Sequence, residues 1–215
     1  STQSRSSAAS DVYKRQGQTC TSSKRFIVVD ELYDAFLEKF VAGMSSVPFG
    51  DPQDEATVVG PLSSEQARKD VHELVEDAVA HGAKVLTGGE PQDGPGFFYP
   101  PTVLVDVPES ARAYREEIFG PVAVVHRVAD LDAAIELAND SPYGLSSSVY
   151  TTSAEVAEDV AARLEVGMVW INSTSKSSAE LPFGGVKRSG VGRELGRLGI
   201  EEFVNHKLVR SPGGL

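Results

Sequence analysis

From residue 17 onward the apolar positions switch between a period of two and a period near 3.6, and the switches mark out the elements. Residues 24–29 (KRFIVV) are a short β-branched apolar run, which predicts a strand. Asp30 then offers an N-cap to a helix carrying Leu32, Phe36, Leu37, Phe40, Val41 and Met44 on one stripe. A turn-rich connector, PFGDP at 48–52, follows. Ser63 or Ser64 can cap a second amphipathic helix bearing Ala67, Val71, Leu74, Val75, Ala78 and Val79, with Gly82 as its stop signal.

The alternation continues to the C-terminus. Residues 84–87, 102–106, 122–128, 146–150 and 167–171 read as strands. Asp130 caps a helix over 131–139, and Ser153 caps another that runs to about Leu164. Strands interleaved with helices predict an α/β fold, a largely parallel sheet with helices on both faces. Residues 202–209 (EFVNHKLV) read as one more strand after a long loop. With no neighbouring strand in sequence, its expected role is pairing with another subunit's sheet edge. Residues 1–16 differ in kind: Ser-rich, polar and without periodicity, they are expected to be disordered or foreign to the fold. The expected division is therefore 1–16 as an anomalous segment, 17–199 as the main domain and 200–215 as an oligomerisation strand and tail.

Composition narrows the function classes. A net charge of −11 argues against nucleic acid or an anionic membrane as a partner. No apolar run approaches the roughly 20 residues of a membrane span, and no signal-like segment opens the chain. One cysteine excludes an internal disulfide framework and suits a reducing compartment, so a cytoplasmic location is expected. His72, His81, His126 and His206 are scattered without ligand spacing, so no metal site is expected. No G-x-S-x-G elbow supports a serine hydrolase.

Three stretches carry candidate chemistry. Cys20, in GQTC at 17–20, lies between a glycine and a polar run just before a strand, a setting that favours an accessible thiol over a buried one. Lys24 and Arg25 are near enough in sequence to favour its thiolate if they fold back. In REEIFGPV at 115–122, Gly-Pro fixes a turn, holding Glu117 and Phe119 at a strand's entrance. A carboxylate and an aromatic ring there suit a ribose diol and a flat ring, though solvated charge and simple packing fit the same residues. Residues 181–196 (LPFGGVKRSGVGRELG) hold five glycines, which resist a continuous helix or strand. Phe183, Lys187 and Arg193 make this a shaped loop beside a cavity and not a Gly/Ser linker.

Together these residues resemble the aldehyde dehydrogenase superfamily. GQTC at 17–20, EEIFGPV at 116–122, ANDSPYGLSSSVYT at 138–151, GMVWIN at 167–172 and PFGGVKRSGVGRE at 182–194 occur in that family's order. The resemblance implies that Cys20 is the nucleophile toward an aldehyde carbonyl. It implies that Glu117 bonds the nicotinamide-ribose hydroxyls of NAD or NADP, that Phe119 packs beside the nicotinamide, and that Phe183 lines the aldehyde tunnel. The SSAE run at 177–180 is similar to the succinate-semialdehyde branch of the family, in which Ser178 would meet the substrate's distal carboxylate. Where that branch has an arginine six residues before the cysteine, this chain has Lys14. The family's Gly-rich dinucleotide domain, its general-base glutamate and an oxyanion-hole asparagine precede the cysteine and have no counterpart here, so the 215 residues alone are expected to be inactive. The parent enzyme is expected to be a homo-oligomer, a dimer or tetramer. A cofactor-independent cysteine esterase and a non-catalytic interaction fragment remain the alternatives.

Overall fold

A computed structural model describes residues 14–213. The expectation for 1–16 therefore lies, up to residue 13, outside the described residues. A 3-10 turn, Lys14–Gly17, leads to β1 (Arg25–Val29), α1 (Asp30–Ser45), α2 (Glu65–Ala80), β2 (Lys84–Thr87), β3 (Thr102–Val105), α3 (Arg112–Arg115), β4 (Val122–Val128) and α4 (Leu131–Asn139). Then come β5 (Tyr143–Gly144), β6 (Ser146–Val149), α5 (Ala154–Arg163), β7 (Met168–Ile171), β8 (Val186–Lys187) and α6 (Gly196–Glu201).

The central sheet has the order β1-β4-β3-β2. β4 is parallel to both β1 and β3, and only the edge strand β2 runs antiparallel. The inner strands β3 and β4 are near-continuous apolar runs, broken by Thr102, His126 and Arg127, as suits parallel strands covered by helices on two faces. On β4 the side chains divide by the strand's period of two. Val122 and Val124 join Leu104, Val71, Leu74, Val75 and Ala78 under α2. Ala123 and Val125 join Val103, Val105, Tyr33, Phe40 and Met44 under α1. Phe40 completes that second layer, tilted against Phe26 at 4.7 Å between centroids and stacked on Phe36 at 5.1 Å.

Three of the expected caps form. Ser64 Oγ accepts from Ala67 N–H, Asp130 Oδ1 from Ala133 N–H and Ser153 Oγ from Val156 N–H, at 3.1, 2.9 and 3.2 Å. Gly82, at φ +107°, ends α2: its N–H donates to Val79 O and that of Ala83 to Ala78 O, both 2.9 Å, a Schellman closure. The fourth cap does not form. Asp30 is the first residue of α1 with no side-chain cap bond, and its carboxylate pairs instead with Arg127. Phe36, Leu37, Phe40, Val41 and Met44 of the expected α1 stripe pack into the core, but Leu32 is exposed, and Tyr33 is buried in the first turn beneath the Arg127 guanidinium.

A second, smaller pair of ladders lies beyond α4. β6 and β7 run parallel, and Asn172 locks their end, exchanging two hydrogen bonds with the Thr151 backbone. β5 and β8 pair antiparallel, and Lys187 on β8 reaches Asn139 O at the end of α4 (2.6 Å) and Glu165 (2.7 Å). Residues 202–209, expected to form a strand with another subunit, form none within this chain. They follow α6 as turn and irregular chain, and no strand of the described residues pairs with them. Phe203, Leu208 and Val209 are 92%, 91% and 81% exposed. No helix among the described residues is long and apolar enough to cross a membrane.

Candidate active site

The nucleophile candidate sits at the apex of a turn. Ser22 N–H donates to Thr19 O at 3.1 Å, the closing bond of a β-turn whose central residues are Cys20 and Thr21. The Thr19 and Ser22 hydroxyls bond to each other at 2.7 Å, and Ser22 is buried beneath. Gln18 Oε1 accepts from Ser63 N–H at 2.9 Å and fixes the turn's N-terminal side to the start of α2. Cys20 itself is a free, exposed thiol, as its place in the sequence predicts.

Glu117 and Phe119 come to the same place by a different route. Arg112 of α3 holds Glu116 through two hydrogen bonds of 2.9 Å, so that doublet's first carboxylate is committed to an ion pair. Burial then alternates: Glu117 is exposed, Ile118 is 2% exposed in the core, and Phe119 is exposed. The alternation puts carboxylate and ring on one outer side, with Ile118 as the anchor between them. Crowding by neighbouring atoms raises the Glu117 pKa above its ordinary value, and the Lys24 ammonium acts against that rise.

The two segments meet backbone to backbone. Gly17 has φ +71°, and a Cβ built on it would lie 2.0 Å from Gly120 O. Only glycine permits that contact. The adjacency follows from the sheet: the Cys20 turn feeds β1, the Glu117–Phe119 segment feeds β4, and these are parallel neighbours in register from Arg25 and Val124. Of the two basic residues expected near the thiol, Arg25 turns away, donating to Leu137 and Ala138 carbonyls at the end of α4. Lys24 turns inward, donating to Gly17 O, with its nitrogen 5.1 Å from the Phe119 ring centroid.

Ser178 and Phe183 form a separate group. Ser178 lies in the irregular stretch after β7, and its hydroxyl donates to Glu180, lowering that carboxyl's pKa. Nothing in the sequence pattern signals the Glu180 partner. Phe183 is half-buried and its backbone exchanges two 2.7 Å hydrogen bonds with Glu194, which pinches the Gly-rich stretch into a closed loop. The loop packs on the strand pair through Gly167, where an added Cβ would fall 2.0 Å from Gly184 O. Neither Ser178 nor Phe183 hydrogen-bonds or stacks with Cys20, Glu117 or Phe119 among the described residues. Lys14 falls in the 3-10 turn.

An α/β domain that raises an exposed thiol, beside a carboxylate and an aromatic ring, at the entrance of two parallel strands has the parts of a covalent-catalysis site. The sequence matches the aldehyde dehydrogenase family over residues 3–209, and the chain belongs to that family. It is 52% identical over 204 residues to a succinate-semialdehyde dehydrogenase [NADP(+)] of Deinococcus radiodurans, covering 95% of this chain and 43% of that protein. The enzyme of the same name from Mycolicibacterium paratuberculosis is 50% identical over 196 residues, covering 91% of this chain and 42% of the relative. Among solved structures, succinic semialdehyde dehydrogenase from Streptococcus pyogenes in complex with NADP+ superposes with a TM-score of 0.92 at 44% identity, over 97% of this chain and 46% of that one. The chain thus spans somewhat under half the length of the relatives it matches.

Proposed function

We propose that this chain supplies the nucleophile and the nicotinamide-side wall of an aldehyde dehydrogenase that oxidises succinate semialdehyde with NADP or NAD. The observation that carries this is the exposed Cys20 turn packed through Gly17 onto Gly120, beside Glu117 and Phe119. The residues present fit the nicotinamide end of a dinucleotide. An exposed carboxylate whose neighbour Glu116 is already engaged can accept from a ribose diol, and the exposed Phe119 ring offers a flat apolar face. When bound, the cofactor accepts a hydride. The relatives described above carry NADP(+) in their names, which supports that cofactor here.

The chain's own part in the reaction centres on Cys20. Its thiolate sulfur bonds the carbonyl carbon, the carbonyl π electrons move onto oxygen, and the Cys20 backbone N–H helps to hold that oxyanion. Loss of hydride from the tetrahedral carbon leaves a thioester on Cys20, which water cleaves to the carboxylate and the free thiol. The sp³ centre matters because hydride leaves it with help from the oxyanion, which a free carbonyl cannot give. Phe183 lines the route of the aldehyde chain, and Ser178 meets the distal carboxylate after exchanging its bond to Glu180. The parent enzyme is a homo-oligomer that uses the exposed C-terminal tail, and it acts in the cytoplasm.

An activated ester tests the nucleophile without a cofactor. With 4-nitrophenyl acetate the chain is expected to release one burst equivalent of nitrophenol and to carry the acetyl group on the peptide containing Cys20. A burst of equal size from Cys20→Ala would refute the assignment. The same 215 residues are expected to produce no sustained NADPH from succinate semialdehyde, because they include no Gly-rich strand-to-helix cradle.

A further inference from the structure

Between the Cys20 turn and the Glu117–Phe119 segment stands a cation that the chemistry above does not use. We propose that Lys24 is a positioning residue, whose ammonium ties the backbone of the Cys20 turn to the face of Phe119 and so sets where the sulfur stands relative to the Glu117 carboxylate. The inference rests on Glu117 and Phe119 being the cofactor-side wall.

The geometry begins with a rigid base. The Lys24 carbonyl accepts from Val124 N–H at 2.9 Å, directly before the β1–β4 ladder, so the side chain leaves from a fixed point on the central sheet. Its ammonium reaches back seven residues to donate to Gly17 O, closing residues 17–24 into a ring that contains Cys20. The same nitrogen lies 5.1 Å from the Phe119 centroid, within the range where a ring face attracts a cation. Gly17 is therefore held from two sides, by Lys24 on its carbonyl and by the Gly120 backbone against its α-carbon.

Neighbouring charges leave this task to Lys24. Arg25 spends its guanidinium on the α4 carbonyls, and Arg112 spends its own on Glu116. The Lys24 charge also lowers the Glu117 pKa, against the rise that partial removal from water causes. One ammonium thus acts on three groups: the Gly17 carbonyl three residues before the nucleophile, the aromatic wall and the carboxylate. A side chain that only filled space would hold the turn but would leave the Glu117 charge unaffected.

The test separates charge from structure and uses neither cofactor nor aldehyde. In the ¹³C,¹⁵N-labelled 215-residue chain the Glu117 carboxyl is titrated by NMR, its signal assigned through Glu117→Gln, while amide exchange is followed at Ser22, whose N–H closes the Cys20 turn on Thr19 O. Lys24→Met is expected to raise the Glu117 midpoint and to speed exchange at the Ser22 amide roughly tenfold. Lys24→Arg should keep the native midpoint. Lys24→Gln keeps a donor for Gly17 O without the charge, so it should raise the midpoint while retaining more of the amide protection than Lys24→Met. It also serves as the test if the methionine variant does not fold. A native Glu117 midpoint in both uncharged variants overturns the inference. Failure of the functional reading would appear elsewhere, as absence of Cys20 acylation, and would leave these titrations standing.

Discussion

At the scale of single residues, the site depends on where glycine removes a side chain as much as on which side chains are present. Gly17 combines a left-handed φ with a carbonyl oxygen where its Cβ would be, so Gly17→Ala meets both strain and a clash with backbone that cannot swing aside. The expected cost is at least about 2 kcal/mol. The expected functional sign is loss of the acyl burst on Cys20 even where the variant still folds, because relief of the clash must move the turn away from Gly120. A melting curve together with the burst amplitude checks both parts, and a native burst from a fully folded Gly17→Ala would show that the contact does not place the sulfur. Cys20, Glu117 and Phe119 were legible as candidates because each sits in a short, turn-bounded stretch of unusual composition. Their adjacency was not, since it depends on which strands become neighbours. Ser178 was legible only by resemblance, and its bond to Glu180 arises from an irregular stretch with no periodicity to read.

Among the elements, β4 carries the main buried group that titrates outside the candidate site. His126 is 8% exposed on this central strand, its Nε2 is buried with no hydrogen-bond partner, and the Tyr114 ring meets it edge-on. Burial, with Arg25 adding to it, lowers its pKa to about 4. The folded state thus holds the imidazole neutral, while the unfolded chain protonates near the ordinary 6.5. Stability is therefore lost as pH falls from about 6.5 to about 4 and levels off below that for this group, a total of about 3 kcal/mol. Urea unfolding at pH 7 and pH 4 is expected to show this loss in the native chain and a smaller loss in His126→Leu. Identical slopes in the two would assign the acid sensitivity to other groups. Helix starts with Ser or Asp before an amphipathic run, at Ser64, Asp130 and Ser153, were legible because the capping bond is local. Asp30 looked the same in sequence, but a partner 97 residues away, Arg127, claimed its carboxylate. The same guanidinium covers Tyr33, so in the first turn of α1 Tyr33 is buried where Leu32 was expected, while the later apolar positions keep the expected phase. The two-residue strands β5 and β8 are too short for any periodicity and exist only as a pair.

For the whole molecule, the α/β class was legible because every long element repeats its period several times. The tail takes no strand pairing within this chain, because a period of two does not create a partner. Residues 202–209 have strand composition, yet they remain irregular where this chain offers no edge to join. Phe203, Leu208, Val209 and Val191 are large apolar side chains left almost wholly exposed, and exposed apolar surface favours association. Sedimentation is therefore expected to show concentration-dependent association at micromolar levels, weakened in a Phe203→Ser, Leu208→Ser double variant. A clean monomer across that range would argue against the tail as a subunit contact.

The parallel pairing of β1 with β4 has one more consequence. Adjacent strands of a sheet lie about 4.8 Å apart, whatever their side chains. The turn bearing the thiol and the segment bearing the ring each continue into one of these two strands, so their separation inherits that repeat as a fixed gauge. No core substitution can change the interval between two hydrogen-bonded strands, so on the proposed reading of Phe183 room for a longer or bulkier aldehyde would have to come from the glycine-rich loop.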